Sequence, residues 1–311
     1  MGILMCMNTP VYSTNTKQVL RTDLMPCPKE HFSDWRDSRL FLRGINRIPE
    51  EDERILGADS LTVKRRLSLS DSYWFKYSED KVDSFDQVTP YLNEFTEYGI
   101  CLSDKSSPSI TVTGTVSKMW KRLEGNTALY KVMMPAWVKA ETAAVGLAMK
   151  LNLPVNNVTI LSNAELLIHN FTEPGKMLMR LQPWDLGIRS TDDISSSFGY
   201  DILAVDKAYR DLGIENDFHI TTLLFDVIVT NYDRLTNLSN WGYFKDGKTG
   251  KNTSAPLYDF NLAHPDQKNQ YLHIIKPQLI AKHKILLRSW RNTIASYGYP
   301  AWTENVDELL R

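Results

Sequence analysis

The segment VTNYDRLTNLSNWGYF, residues 229–244, comes directly after an apolar run. It contains short polar side chains of the kinds that a magnesium–phosphate site uses. In such a site an acid accepts a proton and an amide oxygen holds the metal. Asp233, Asn237 and Asn240 supply these groups. The same residue types also form ordinary polar turns. The segment alone therefore leaves a turn and a catalytic loop as two open interpretations.

Two acids each follow an apolar stretch and need an explanation. Asp233 comes just past the C-terminal end of the helix that ITTLLFDVIV predicts, where the helix dipole disfavours a negative charge. Residues 256–258 predict a short, partly buried strand. Asp259 directly follows this strand and is itself followed by Phe260 and Asn261. A turn or a helix cap would explain either acid, and so would a role in proton transfer or metal binding.

Lys131 and Glu141 are charged residues on faces that are otherwise apolar. Strand alternation puts Lys131 on one face with Leu129 and Met133, where a lysine either snorkels from an edge or has a partner. Glu141 lies on the apolar face of the next predicted helix, and burial of a carboxylate is costly unless it is paired. The two could meet, since one lies on a strand and the other on the next helix. The alternative places Glu141 in the first helical turn, where a negative charge is favourable.

The elements that must position these residues are a β-rich stretch followed by a helix-rich stretch. The predicted strand segments, which begin at about residue 108, are SPSITVTGTVSKMWKRL with a turn at Gly114, EGNTALYKVMM, NVTILSNAELLIHNF and KMLMRLQPW. Between them AWVKAETAAVGLAMKLNLP predicts a helix ended by Pro154, and the chain is mainly helical from DISSSFGY onward. This order predicts an α+β fold of two lobes with a cleft between them.

The composition is that of an ordinary globular protein of 311 residues, with 42% hydrophobic and 23% charged residues. A formal net charge of −1 gives no reason to expect a nucleic acid or an anionic membrane as a partner. Three scattered cysteines without metal-type spacing favour a reducing compartment. The first residues lack the pattern of a secretion signal, and no apolar run approaches the roughly 18 residues of a membrane span. We therefore expect a soluble, cytoplasmic protein.

The chain length predicts about two domains, or one two-lobed domain with an appendage. Residues 1–100 are rich in charged and aromatic residues and contain two helical patches, EHFSDWRDSRLFLRG and EEDERILGADSLTVKRRLSLSD. They predict a small helical accessory region without obvious chemistry. We expect residues 101–184 to form the β-rich lobe and residues 185–311 to form the mainly helical lobe.

In chain order, the candidate residues are a strand lysine, a helix glutamate, an acid with an asparagine downstream, and a second acid before a phenylalanine. This set resembles the parts of a protein kinase. More specifically, residues 108–285 resemble the HipA family of serine/threonine kinases, known from bacterial toxin–antitoxin systems. The similar segments are TVTGTVSKMWKR, ALYKVM, ETAAVGLAMKLNLPV, LLIHNFTEPGKMLMRLQPWD, NYDRLTNLSNWGYF and APLYDFNLAH. The resemblance implies a two-lobed protein-kinase-like fold, with 101–184 as the N-lobe and 185–311 as the C-lobe.

The resemblance also implies a role for each matched residue of the catalytic centre. Lys131 would bind the α- and β-phosphates of ATP, and Glu141 would position that lysine. Asp233 would orient or deprotonate the attacking hydroxyl. Asn240 would hold a magnesium ion, and Asp259 would bridge magnesium to the phosphates.

Two further segments would surround the nucleotide. Gln182 and Trp184 would lie near the hinge and the adenine, while Ser117 and Lys118 would belong to the loop over the phosphates. The implied cofactors are ATP and Mg²⁺. The implied reaction is in-line transfer of the γ-phosphate to a protein Ser or Thr, mainly by positioning and charge neutralisation.

The catalytic loop departs from the family's usual pattern, in which a histidine lies two residues after the acid and the metal-binding asparagine lies five residues after it. Leu235 and Leu238 stand at those two positions. Asparagines fall instead four and seven residues after Asp233. Because the following WGYF matches the family's aromatic–Gly–aromatic sequence, we align Asn240 and infer a two-residue insertion. Asn237 remains the rival metal ligand.

The function that the resemblance implies is a Ser/Thr kinase acting on a protein. A translation component is a candidate substrate and an antitoxin a candidate partner by analogy, and autophosphorylation within SSPSITVTGTVS is a further prediction. The altered loop motivates an alternative, an ATP-binding pseudokinase that acts as an interaction or regulatory protein. A carboxylate–metal hydrolase built on Asp233 and Asp259 is a third hypothesis, but it leaves Lys131 and Glu141 without a role.

Overall fold

The computed structural model describes residues 2–38, 65, 67–89, 116–123, 126–188, 201–269, 272, 275 and 277–311. These residues form a mixed α/β fold with several antiparallel strand pairs, so the predicted α+β class is confirmed at this level. The chain divides into two compact units, each made of three segments. The first unit comprises Met1–Val132, Leu166–Met179 and Phe244–Thr253, and the second comprises Met133–Glu165, Arg180–Tyr243 and Ser254–Arg311. The predicted domain ranges 1–100, 101–184 and 185–311 stay a prediction.

The described elements have the following bounds. The strands are β1 (Gly2–Cys6), β2 (Thr9–Ser13), β3 (Gln18–Val19), β4 (Tyr73–Tyr77), β5 (Ser117–Leu123), β6 (Asn126–Val132), β7 (Val158–Ser162), β8 (Glu165–His169), β9 (Lys176–Arg180), β10 (Gly242–Asp246) and β11 (Asn252–Ser254). The α-helices are α1 (Phe32–Ser38), α2 (Pro135–Lys150), α3 (Ile202–Asp211), α4 (Phe218–Ile228), α5 (Asp233–Thr236), α6 (Pro277–Tyr297) and α7 (Pro300–Leu310). Among the helices of the described residues, none has the length and apolar character needed to span a membrane.

The first unit begins with an antiparallel sheet in the strand order β3-β2-β1-β4. Leu4 on β1 lies opposite Tyr12 on β2 and Phe75 on β4. All three side chains are buried, as are most residues of β1 and β4. Trp74, next to Phe75, packs into a buried cluster that includes Leu67. The aromatic run YWFKY of β4 suits a strand that is covered on both faces.

The prediction of a small helical module in residues 1–100 is wrong for the described part of that region. This part contains the four-stranded sheet. It also contains the helix α1, which lies within the first predicted helical patch. The second helical patch lies mostly outside the described residues. The pairing of β4 with β1 joins distant parts of the chain and leaves no local pattern. Strands β1, β2 and β3 pair with their neighbours in the chain, so for these three strands the sequence reasoning missed local hairpins.

The strand that was predicted to carry Lys131 is confirmed as β6. It pairs antiparallel with β5, and Lys131 lies directly opposite Lys118. Opposite residues of an antiparallel pair point to the same face of the sheet. The earlier part of the predicted strand segment, with its turn at Gly114, lies outside the described residues.

The turn between β10 and β11 is organised by Asp246 and requires glycine at position 250. Asp246 Oδ1 accepts hydrogen bonds from the backbone N–H groups of Thr249 at 2.7 Å and of Lys248 at 2.9 Å. These donors, Thr249 above all, lower the pKa of Asp246. Gly250 has a φ of +72°, and a Cβ atom there would lie 2.5 Å from the carbonyl oxygen of Asp23. Glycine is needed both for the left-handed backbone and for this close approach.

Gly250→Ala is expected to reduce the free energy of unfolding by about 1–2 kcal/mol more than Gly213→Ala does. Gly213 is the matched control because its φ is +75°, while no atom of the described residues lies within 4 Å of the place that a methyl group would take there. Both variants carry the strain of a left-handed alanine, and Gly250→Ala adds the clash with the Asp23 backbone. Urea unfolding followed by circular dichroism measures the difference. Equal losses in the two variants would contradict the close approach to Asp23.

In the second unit, the helix predicted around Glu141 is confirmed as α2. Pro135 lies at its first position, where the missing N–H of proline costs nothing. Its buried face includes Val138, Ala144 and Glu141, which is fully buried. The alternative placement of Glu141 in the first helical turn is wrong, because α2 begins at Pro135 and its first turn contains no acidic residue.

Helix α4, predicted from ITTLLFDVIV, is also confirmed and is buried along most of its length. The last carbonyls of a helix lack intrahelical donors. Here Asn305 Nδ2 donates to the carbonyl of Ile228 at 2.8 Å, and Asn269 Nδ2 donates to that of Val227 at 2.6 Å. Buried asparagines therefore fix the end of α4, from which the segment with Asp233 departs.

The strand predicted over residues 256–258 is wrong. Leu257 forms one isolated parallel bridge with Val155, through its N–H to the Pro154 carbonyl at 2.8 Å and its carbonyl to the Asn156 N–H at 3.0 Å. The bridge does not extend, because Asp259 adopts a φ of +63° and turns the chain out of the extended conformation.

Candidate functional site

Asp233 is positioned by the turn that follows α4. The helix is capped at Val229, and Thr230 then adopts a φ of +59°, which ends the helical path. Asp233 is the first residue of the short helix α5, and its side chain is partly buried. The prediction that Asp233 lies just past the C-terminal end of a helix is confirmed.

Asn240 lies beside Asp233. Its Nδ2 donates to Asp233 Oδ2 at 2.6 Å, and the asparagine is 4% exposed. A carboxylate oxygen accepts and does not donate, so the amide nitrogen must face Asp233. With Nδ2 turned to Asp233, Oδ1 is the side-chain atom of Asn240 that a metal could use. An amide oxygen held in this way has the chemistry of a magnesium ligand.

Asn237, the rival of Asn240, serves as a cap. It precedes the short 3₁₀ helix Leu238–Asn240, and its Oδ1 accepts from the N–H of Ser239 at 3.1 Å and from the hydroxyl of Ser239 at 2.6 Å. These two hydrogen bonds use the oxygen that a metal would need. The geometry therefore favours Asn240, and the assignment of either residue to a metal stays a prediction.

Arg234 connects three segments of the second unit. Its side chain is 2% exposed. Nε donates to Asp226 Oδ2 at 2.5 Å, Nη2 donates to the carbonyl of Tyr258 at 2.7 Å, and Nη1 donates to the carbonyl of Asn240. One guanidinium thus joins α4, the loop that ends at Asn240 and the segment that leads to Asp259.

Asp226 is the anionic partner of Arg234 and is fully buried in α4. It also accepts from Asn231 Nδ2 at 3.0 Å. Burial, the largest influence, lowers the pKa of Arg234. The attraction of Asp226, its hydrogen bond and the nearby Tyr258 together outweigh burial, so the pKa of Arg234 lies above its ordinary value. Removal of one partner from such a pair leaves a buried charge uncompensated.

Glu141 holds the chain on the other side of Asp259. Its Oε2 accepts from the backbone N–H of Phe260 at 3.0 Å, and Phe260 is fully buried. Arg234 binds the carbonyl of Tyr258, the residue before Asp259. The partly buried Asp259 is therefore fixed on both sides by charged side chains.

The predicted phosphate-binding residues lie on β5 and β6 of the first unit. Lys131 is 3% exposed, and the side chain of Lys118 opposite it is partly buried. Ser117 begins β5, and the predicted contact of Lys131 with Glu141 stays a prediction.

Gln182 and Trp184 lie at the start of a 3₁₀ helix in the second unit, Pro183–Leu186. The N–H of Gln182 donates to Asp185 Oδ2 at 2.7 Å, and its Nε2 donates to the carbonyl of Arg180 at 3.3 Å. Both side chains are partly buried. Their predicted position beside an adenine stays a prediction.

The side chains of Asn240 and Asp259 have the chemistry to hold a magnesium ion together with the oxygens of a phosphate. Mg²⁺ prefers oxygen ligands and is usually held by one or two carboxylates together with substrate phosphates. The amide oxygen of Asn240 and the carboxylate of Asp259 are such ligands, and Arg234 binds the backbone of both segments. Within the described ranges, no group of three or more His, Cys, Asp or Glu side chains is arranged to hold a metal by itself.

No protein-family model and no curated protein matches the chain. Among the solved structures similar to it are two at low identity. The Helicobacter pylori proinflammatory kinase CtkA is 12% identical, with a TM-score of 0.36, and the match covers 63% of this chain and 90% of that chain. The toxin–antitoxin complex of HipA, HipB and operator DNA from Shewanella oneidensis MR-1 is 12% identical, with a TM-score of 0.47, and the match covers 88% and 84% of the two chains.

Sequence reasoning missed Arg234 and Asp226. One signal was available: Asp226 interrupts the apolar run ITTLLFDVIV, and a carboxylate in a buried helix needs a cationic partner. The choice of Arg234 as that partner depends on the turn at Thr230, which no local pattern specifies.

Proposed function

We propose that the chain is a HipA-like Ser/Thr protein kinase that transfers the γ-phosphate of ATP to a hydroxyl group of a protein. The observation that carries this proposal is the contact of Asn240 Nδ2 with Asp233 Oδ2 at 2.6 Å. It joins an acid that can orient a hydroxyl to an amide that can hold a metal. Arg234 and Glu141 bind the backbone around the second acid, Asp259.

In this proposal each residue acts by binding or orienting. Asp233 accepts a hydrogen bond from the attacking hydroxyl and takes its proton as the new bond forms. Lys131 binds the α- and β-phosphates and neutralises part of their charge, with Lys118 on the same face. Asn240 and Asp259 would hold magnesium, which would supply positive charge to the phosphoryl group.

The pseudokinase is the second candidate, and one observation favours it. Leu235 stands where the HipA family usually has histidine, and it is buried with 6% exposure. A buried leucine cannot exchange protons or bind phosphate. In this alternative the chain binds ATP and acts as an interaction or regulatory protein.

The experiment is incubation of the purified protein, alone and with a cell lysate, with γ-labelled ATP and Mg²⁺. We expect label on the chain itself or on a lysate protein, and its loss when EDTA removes the metal. ATP binding without label transfer would select the pseudokinase. Failure to bind ATP would exclude both kinase-like proposals.

Asn240→Ala is expected to lower the rate of label transfer about 10²-fold, because it removes the proposed metal ligand and the contact with Asp233. Asn237→Ala is the matched control, since it removes a cap hydrogen bond and is expected to cost only about 1 kcal/mol of stability. Initial rates at several Mg²⁺ concentrations make the comparison. A larger loss of rate in Asn237→Ala would show that the assignment of the two asparagines is wrong.

We propose a protein as the substrate, with a translation component as the first candidate and an antitoxin as a further protein partner. The net charge of −1 gives no reason to add nucleic acid or a membrane as direct partners. ATP and Mg²⁺ are the proposed cofactors and the cytoplasm the proposed location. Mass spectrometry of the labelled lysate proteins would test the substrate class.

A further inference from the structure

The charged group of Arg234 is fully enclosed by the second unit. Its Cζ lies between 5.4 and 5.9 Å from the centroids of three aromatic rings, those of Trp241, Tyr258 and Phe260. Its donors reach Asp226 and two backbone carbonyls. Apolar residues of similar volume often replace a buried ion pair without loss of stability. Stability alone therefore does not explain why a charge lies here.

Two of the hydrogen-bond acceptors of Arg234 lie on the segments that carry Asn240 and Asp259. Nη1 binds the carbonyl of Asn240 itself, and Nη2 binds the carbonyl of the residue before Asp259. Arg234 also directly follows Asp233 in the chain. Nε binds Asp226, which α4 holds in place. The guanidinium is planar, so these hydrogen bonds fix the segments of Asn240 and Asp259 relative to each other.

We propose that Arg234, anchored by Asp226, is a positioning residue that sets the spacing of Asn240 and Asp259 and thereby builds the magnesium site. This inference rests on the proposed function, because it assigns Asn240 and Asp259 as the ligands. A lysine could not take this role, since its compact ammonium group cannot reach three acceptors in a fixed plane. Magnesium tolerates little deviation from its preferred octahedral geometry, so a small shift of one ligand weakens binding.

The test separates positioning from stability. In the double variant Asp226→Asn/Arg234→Met, both buried charges are removed together, so neither is left uncompensated. We expect its unfolding midpoint to stay near that of the parent. We expect its rate of label transfer to fall about 10²-fold and the Mg²⁺ concentration for half-maximal rate to rise about tenfold. A double variant with the same transfer rate and the same Mg²⁺ requirement as the parent would overturn the proposal.

Two further variants provide controls for the double variant. Arg234→Lys keeps the positive charge and therefore the folded state even where the double variant fails to fold, and it is expected to show the same raised Mg²⁺ requirement. A normal Mg²⁺ requirement in Arg234→Lys would overturn the proposal. Arg210→Met is the control, because Arg210 forms ion pairs with Asp206 and Asp217 at the exposed surface, and it is expected to leave the Mg²⁺ requirement unchanged.

A direct binding measurement keeps this inference separate from the proposed function. Mn²⁺ binding to the ATP-loaded protein, followed by electron paramagnetic resonance, does not depend on phosphoryl transfer. If the parent binds Mn²⁺ and ATP but transfers no label, the kinase proposal fails while weaker Mn²⁺ binding in Arg234→Lys still supports the positioning role. Equal Mn²⁺ binding in the parent and in Arg234→Lys would overturn the positioning role whatever the activity.

Discussion

Asp233→Asn is expected to lower the rate of phosphoryl transfer about 10³-fold and to leave ATP binding nearly unchanged. Asparagine has the shape of aspartate, and its amide oxygen can still accept the hydrogen bond from Asn240 Nδ2 that Asp233 Oδ2 accepts at 2.6 Å. The loop geometry is therefore retained. What the variant loses is the carboxylate that, in the proposed reaction, orients the attacking hydroxyl and takes its proton. Initial rates of label transfer from γ-labelled ATP at saturating ATP measure the effect.

Asp211→Asn is the control for that experiment. Asp211 is an exposed acid on α3 that pairs with Lys207, and exposed pairs of this kind contribute little to stability. We expect its transfer rate to equal that of the parent. Retention of most of the parent's rate in Asp233→Asn would contradict the assignment of Asp233 as the proton acceptor. The Mg²⁺ requirement of Asp233→Asn should stay normal, because Asn240 and Asp259 remain in place.

The seven-residue spacing between Asp233 and Asn240 has a structural explanation. Leu235 and Leu238 are both buried, at 6% and 5% exposure. Asn237 lies between them and caps the 3₁₀ turn that ends at Asn240. This turn brings Asn240 back to Asp233, although seven positions separate them. The residues between Asp233 and Asn240 thus form a capped turn with an apolar, buried side.

Helices and strands with strong local patterns were predictable from the sequence. The apolar run of α4 and the long helix around Glu141 have the composition and the stop signals of buried helices, and both are confirmed. The strand with Lys131 is confirmed for the same reason. In each case neighbouring residues decide the structure, so periodicity is informative.

Features that depend on distant partners were not predictable. In the N-terminal sheet, β4 reaches its place only by pairing with β1 across a long separation, although β1, β2 and β3 pair locally. The left-handed backbone at Asp259 ends a segment that was predicted as a strand. In both cases tertiary contacts outweigh the local propensity.

The residues of the candidate site also differ in how far local sequence patterns could predict them. Asp233 and Asn240 were found because their residue types and order match a known pattern, and the structure brings them into contact. The network of Arg234 and Asp226 was missed because it joins residues through a turn at Thr230. A buried acid in an apolar helix thus indicates that a cationic side chain lies nearby, but it does not identify that side chain.

Asp259→Asn is expected to lower the rate of transfer about 10³-fold and to raise the Mg²⁺ concentration for half-maximal rate at least tenfold. Asp259 has a φ of +63°, and asparagine is one of the few residues that adopt this conformation readily. The hydrogen bonds of Tyr258 with Arg234 and of Phe260 with Glu141 involve backbone atoms on either side, so the substitution retains them. The variant should fold as the parent does and lose only the negative charge that, in the proposed site, would hold the metal.

The Mg²⁺ titration gives Asp259→Asn a different signature from Asp233→Asn. Loss of a metal ligand raises the Mg²⁺ requirement, whereas loss of the proton acceptor lowers the maximal rate at any Mg²⁺ concentration. Asp259→Ala provides an internal comparison, because alanine disfavours the left-handed backbone and adds a loss of stability to the loss of the ligand. A parent-like Mg²⁺ requirement in Asp259→Asn, with the unfolding midpoint unchanged, would show that Asp259 does not hold the metal. In that case the positive φ of Asp259 would have only a structural role, as the turn that places Phe260 under the carboxylate of Glu141.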